Sequence, residues 1–156
     1  MGKRLQTEIR QTKPFVSPEE ETFLNLQRTA EALMWGLAET LKPAGLTPTQ
    51  YNVLRILRGA GTEGLPCGEI SGRMVTKDSD ITRLLDRLET QKLIERTRSE
   101  KDRRVVMAYI TPEGLRVLEG LDDAVVDLHR RQLAHLGARR LAALSDALEA
   151  AREKVG

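Results

Sequence analysis

The side chains in this sequence best equipped for chemistry are cations. Between Lys92 and Arg104 stand Lys92, Arg96, Arg98, Lys101, Arg103 and Arg104, against Glu95, Glu100 and Asp102. Upstream, the stretch from Lys77 to Arg87 carries Lys77, Asp78, Ser79, Asp80, Thr82, Arg83 and Arg87. Such groups suit hydrogen bonding to phosphates and base edges. Arg83 and Lys77 can donate to guanine O6 and N7, Ser79 and Thr82 can bond bases or phosphates, and Asp80 can accept from cytosine N4. Asp78 and Asp80 also oppose a polyanion unless each meets a donor, and one of them is expected to serve as a helix cap. The plainer alternative is a solvated face with surface ion pairs worth at most about 1 kcal/mol each.

Other chemistry finds little support. The sequence holds no Gly-rich phosphate loop, no Gly-x-Ser-x-Gly and no metal-ligand cluster, so an enzyme is not expected. His129 and His135 are off the spacing of a helical metal pair, so neither a metal nor a cofactor is expected. The lone Cys67 rules out an internal disulfide and suits a reducing compartment; a redox role would require an exposed thiolate of lowered pKa. No apolar run is long enough to span a bilayer and no secretion signal is evident, so the expected location is cytoplasmic, without a membrane partner. The formal net charge over 156 residues is only +2. Any electrostatic attraction to a polyanion must therefore come from where the charges sit.

The elements that position these residues follow from periodicity and caps. Aromatic residues are 3% and charged residues 31% of the chain, which points to an aliphatic core and a mostly helical protein. Residues 1–16 form a basic arm (Lys3, Arg4, Arg10 and Lys13) without sustained periodicity. Ser17-Pro18-Glu19-Glu20, Thr47-Pro48-Thr49-Gln50 and Thr111-Pro112-Glu113-Gly114 each offer a capping oxygen followed by proline at the first helical position. They predict helices from 17 to about 42, over a shorter segment ending before Gly59, and from 111 to about 134. A last helix is expected after Gly137. Between them the pattern predicts a short strand at Leu65-Pro66, a brief helix from Cys67 to Met74 with Ile70 and Met74 inward, and a turn at Val75-Thr76 capped by Thr76 or Asp78. A helix from Lys77 to Gln91 follows, with Ile81, Leu84, Leu85 and Leu88 on one face.

Two strands, roughly 93–98 and 104–110, are joined by a charged tip. In that tip Asp102 is placed to orient an arginine by a paired hydrogen bond, leaving Arg103 or Arg104 to enter a minor groove, with Arg96, Arg98 and Lys101 along the same wing. The fold class expected is mainly α with a small β-hairpin wing: a winged helix-turn-helix over 46–111, flanked by helices at 17–45 and 112–156. These outer helices hold more apolar residues than the central domain needs. Dimerisation explains them more simply than solvent does.

The order of several short motifs resembles the MarR (multiple antibiotic resistance regulator) family of transcription factors. They are Leu46-Thr47-x-x-Gln50-Tyr51-x-Val53-Leu54, Ile81-Thr82-Arg83-Leu84-Leu85-Asp86-Arg87-Leu88-Glu89, Leu93-Ile94-Glu95-Arg96, Asp102-Arg103-Arg104 and Ile110-Thr111-x-x-Gly114. The resemblance implies a homodimer that binds a short pseudo-palindromic operator in double-stranded DNA, usually as a repressor, with half-sites about one helical turn apart. It also points to the Asp-x-Arg pattern at the wing tip. It further implies release by a small aromatic or anionic effector held between the DNA-binding and dimerisation parts, for which Met34, Trp35, Tyr51 and His129 are the candidates. One departure is Lys92, where the family often has glycine; lysine fits there only if the turn does not demand a positive φ. The competing reading is a winged-helix module that binds another protein rather than a DNA sequence.

Overall fold

The computed structural model describes residues 3–78 and 80–155, apart from the side chain of Lys3. Among the described residues seven α-helices and three strands follow in order: α1 (Lys3–Glu8), α2 (Pro18–Leu41), α3 (Pro48–Ala60), β1 (Leu65–Pro66), α4 (Cys67–Arg73), α5 (Ile81–Thr90), β2 (Ile94–Arg98), β3 (Val106–Ile110), α6 (Pro112–Leu133) and α7 (Gly137–Glu153). The sheet is antiparallel with β3 in the middle, Leu65 lying opposite Ala108 and Arg96 opposite Ala108 from the other side. This is a winged helix-turn-helix set between long helices. No described helix is long and apolar enough to cross a membrane.

The three Ser/Thr-Pro starts form as their sequences dictate. Ser17, Thr47 and Thr111 accept from the backbone N–H of Glu20, Gln50 and Gly114, and Thr47 with Gln50 completes a reciprocal capping box. At α2 the reciprocal bond reaches one residue further back, because the Glu20 carboxylate accepts from the N–H of Val16. The arm departs from expectation. It forms α1, and Leu5 is buried while Glu8 pairs with Arg28 of α2. The buried Leu5 and the pairing of Glu8 with Arg28 come from single residues rather than a repeating apolar pattern, a signal that periodicity does not reveal.

Leu54, Leu57, Ile70, Leu84, Leu85, Leu88, Ile94 and Ala108 form the centre of the core, joined from α6 by Leu118, Leu121 and Val125. The outer helices are different. On α2 only Leu41 is buried, every residue of α7 keeps at least partial exposure, and Phe23 and Trp35 are 60% and 70% exposed. Within one chain, most of the apolar surface of these helices has nothing to cover it.

Two further corrections concern α5. Its first helical residue is Ile81, later than the sequence suggested, and the cap is Asp80, whose Oδ1 accepts from the N–H of Arg83; Thr76 and Asp78 are not caps. At the other end Lys92 adopts φ 62, so the turn does demand the left-handed region. The reason is a Schellman ending: the N–H of Leu93 donates to Leu88 O at 3.0 Å and that of Lys92 to Glu89 O at 2.9 Å. Both Leu88 and Leu93 are buried there.

An L-residue in this region costs roughly 1–2 kcal/mol. Replacing Lys92 with glycine is therefore expected to stabilise the protein by about 1 kcal/mol, with unchanged secondary structure. A denaturation midpoint equal to or below that of the wild type would show that the side chain contributes more than its backbone strain.

Candidate nucleic-acid interface

The helix-turn-helix consists of α4, the loop 74–80 and α5. Met74 and Ile70 anchor α4 in the core. The loop is tied to α3 by Asn52, whose Oδ1 accepts from the N–H of Val75 at 2.8 Å. Asp78 Oδ1 accepts from the N–H of Asp80 at 2.8 Å, and Asp80 in turn caps α5. Both carboxylates thus already hold backbone donors, so neither stands as an uncompensated charge at the helix entrance. Because Leu84, Leu85 and Leu88 are buried, the opposite face of α5 presents Thr82, Arg83 and Arg87, all exposed, and Lys77 is exposed in the loop. Arg83 and Arg87 are four residues apart and share one side of the helix. Ser79 lies outside the described residues.

In the wing, the turn is built by short polar bonds. Ser99 Oγ accepts from the N–H groups of Lys101 and Asp102, and the N–H of Ser99 and Val105 close the loop on Val105 O and Asp102 O. Asp102 holds Arg104 in a fork: Nε to Oδ1 at 3.1 Å and Nη2 to Oδ2 at 3.3 Å, with the Arg104 N–H also donating to Oδ1. The Arg104 side chain is nevertheless 91% exposed. A guanidinium is thus held by one edge while the rest of it faces solvent. Arg98 donates to the carbonyl of Arg103 across the tip, and Lys101 and Arg103 are exposed beside it.

Arg96 is placed otherwise. Its side chain is only 20% exposed and its Nη2 donates to both Asp86 and Glu89 of α5. The pairing raises the Arg96 pKa and holds the Glu89 carboxyl below its ordinary range. Sequence grouped Arg96 with the outward wing cations, but the structure turns it toward α5.

A cleft of about 550 Å³ opens between α2, α3, α6 and the helix-turn-helix loop, lined among others by Met34, Tyr51, Asn52, Arg55, Val75 and His129. Three of the expected effector residues meet there. Trp35 does not line it; it is largely exposed on α2. The sequence reading missed Asn52 and Arg55, one and four residues from Tyr51 on α3. Arg55 sits with its guanidinium carbon 5.9 Å from the Tyr51 ring centroid. Cys67 is partly buried, and burial pushes its thiol pKa up, opposite to what a redox-sensing thiolate needs.

A helix-turn-helix beside a cationic hairpin defines a winged-helix protein whose outer face is arranged for a polyanion. The MarR family model matches residues 46–106. The chain is 38% identical to a MarR transcription factor from Planctomyces limnophilus of known structure, over 86% of this chain and 98% of that one, with a TM-score of 0.68. It is 27% identical to a mutant MarR from E. coli solved in complex with operator DNA, over 81% and 89% of the two chains, with a TM-score of 0.74. It is 40% identical over 91 residues to the HTH-type transcriptional repressor MdtR of Bacillus subtilis, a match covering 58% of this chain and 57% of that protein. The chain belongs to the MarR family of transcription regulators.

The fork at the wing tip makes a titration prediction. Asp102 lies below the ordinary aspartate range, chiefly because of the Arg104 side chain and then its N–H. A carboxyl lowered on folding favours the ordered tip above its unfolded pKa, and that preference is lost as pH falls through the folded value. In Arg104→Ala the Asp102 carboxyl, followed by NMR, is expected to titrate at higher pH than in the wild type. An unchanged titration would show that the fork does not form in solution.

Proposed function

We propose that this protein is a homodimeric transcriptional repressor acting in the cytoplasm, which binds a pseudo-palindromic operator through α5 in the major groove and the hairpin in the adjacent minor groove. The observation that carries this reading is the exposed Arg104 guanidinium held in the Asp102 fork. The narrow minor groove of A·T-rich DNA attracts such an arginine, and an arginine oriented in advance loses less entropy on entering. Lys77, Thr82, Arg83 and Arg87 are the proposed major-groove contacts, with Ser79 retained from the sequence pattern. Asp80 contributes as the cap. Lys101, Arg103 and Arg104 are the proposed wing contacts, with Arg98 bracing the tip. The mutant E. coli MarR solved in complex with operator DNA supports operator binding as the function.

The exposed apolar faces of α2 and α7 support the dimer, with residues 17–45 and 112–156 as its interface and 46–111 as the reader. Two copies related by a two-fold axis would place their α5 helices in successive major grooves.

Binding of the full-length protein to DNA upstream of its own gene, measured with excess unrelated DNA, tests the reading. Arg104→Ala is expected to weaken operator binding about tenfold and to reduce the salt slope by about one. Equal affinity of the wild type for operator and unrelated DNA would instead favour a winged-helix module that binds protein.

The cleft supports an effector reading. Among the described lining residues Arg55 and His129 are basic, none is acidic, and Tyr51, Met34 and Ile56 offer apolar surface, a combination that fits a small aromatic anion. Val75 and Thr76 of the helix-turn-helix loop form part of the wall, so an occupant can favour one loop arrangement over another. Benzoate, as a simple aromatic carboxylate, is expected to weaken operator binding at least about fivefold in the wild type and much less in Arg55→Ala. Equal weakening of both proteins would place the anion elsewhere.

A further inference from the structure

Arg96 joins the two reading elements. Its guanidinium bridges Asp86 and Glu89 on α5, and the second Glu89 oxygen accepts from the Arg96 N–H at 2.9 Å. The side-chain hydrogen bonds between α5 and β2 among the described residues all involve Arg96. The strand carrying it is an edge strand, since β2 pairs with β3 alone. Its outward N–H would otherwise face solvent, and Glu89 satisfies it instead. Across the sheet Arg96 lies opposite the fully buried Ala108, which fixes the middle of β2 while the tip extends beyond.

The neighbouring arginines make the contrast. Arg98, two residues on, is exposed and bonds within the tip, and Arg104 pairs within its own turn. Arg96 alone among these three reaches a different element, ten residues back to Asp86 and seven to Glu89. Both carboxylate contacts come from a single nitrogen, Nη2, which stands one bond further from the backbone than a lysine Nζ does, so a lysine at 96 would fall short of the pair.

We propose that Arg96 is a positioning residue: held by Asp86 and Glu89, it fixes the distance and angle between α5 and the wing, and so the register between major-groove and minor-groove contacts, without touching DNA itself. This rests on the reading above that helix and wing bind DNA together. The carboxylates have a second effect. Paired with Arg96, they present a reduced charge to the phosphates that pass between helix and wing.

The two roles for Arg96 differ in the sign of one experiment. If Arg96 were a phosphate contact, removing Asp86 and Glu89 would free it and tighten operator binding. As a positioning residue it needs them. The test uses full-length wild-type protein, Arg96→Lys, the double variant Asp86→Asn with Glu89→Gln, and the combination of all three substitutions. Operator and unrelated DNA affinities are measured across a range of salt, and near-ultraviolet circular dichroism checks the fold.

The ratio of operator to unrelated-DNA affinity is expected to fall about tenfold or more in Arg96→Lys and in the double variant, with no further fall in the combination. The salt slope of Arg96→Lys should match the wild type. A double variant that binds operator more tightly relative to unrelated DNA, or additive losses in the combination, would overturn the proposal. So would wild-type preference in Arg96→Lys and the double variant, which leaves DNA binding itself intact. A wild type without operator preference would overturn the DNA-binding reading, and this proposal with it. Should the double variant lose its fold, Arg96→Lys decides alone, a preserved ratio refuting the proposal and a reduced ratio with unchanged salt slope supporting it.

Discussion

Everything on the outer face of this protein depends on how α5 ends. Once the helix has turned through Lys92, the carbonyl of Leu93 accepts from the N–H of Thr111 at 3.0 Å and that of Lys92 from the Thr111 hydroxyl at 2.8 Å. Thr111 is also the cap of α6, so one residue closes the wing and starts the long helix. Gly114 completes the junction, since a Cβ there would collide with the Leu93 carbonyl oxygen and the Ile110 side chain. Helix α5, the wing and α6 are therefore fixed to one another within a few residues. A left-handed lysine persists at the junction because two buried leucines and two backbone bonds outweigh its strain.

From that junction the connections run inward. Arg58 of α3 meets Asp122 of α6 in a bidentate pair at 2.9 and 3.0 Å, and Gln132 of α6 donates to the Leu33 carbonyl of α2. Gly36 allows the approach of α2 to α6, a Cβ at that point meeting Leu128 and Gln132. The cleft lies among these same helices, and Asn52 reaches from its wall to the loop that leads into α5. A change in the cleft thus has a short physical route to the reader: one helix, one side-chain hydrogen bond, one loop.

Much of the fold is legible in the sequence because its signals are local. A serine or threonine followed by proline marks a helix start wherever it falls; all three such starts form with their capping bond, and Gln50 adds the reciprocal bond at Thr47. The leucine face of α5 is equally local. Its start is not, because Thr76, Asp78 and Asp80 all have capping oxygens, and it is the Asp80 carboxylate that meets the N–H of Arg83. At Lys92 the residue type argues against a positive φ, whereas the Schellman bonds require one. The pocket shows the same limit. Tyr51 and Met34 could be nominated from their residue types, but Trp35 was equally attractive and faces elsewhere, while Asn52 and Arg55 become visible only when α2 and α6 are in place.

The arginines of the hairpin show most clearly what sequence could not separate. They lie close together and have the same charge, yet Arg96 is taken up by α5, Arg98 by the tip backbone and Arg104 by a carboxylate that leaves it facing solvent. With a net charge of only +2, the chain has little general attraction to a polyanion. Sequence preference must then come from how few cations are presented and how firmly they are held. Each acidic partner lowers the overall electrostatic pull, but it also restricts where an arginine can go, which trades indiscriminate affinity for discrimination. The acidic residues beside these arginines, which in composition count against a DNA-binding role, are in this arrangement what gives the cations their direction.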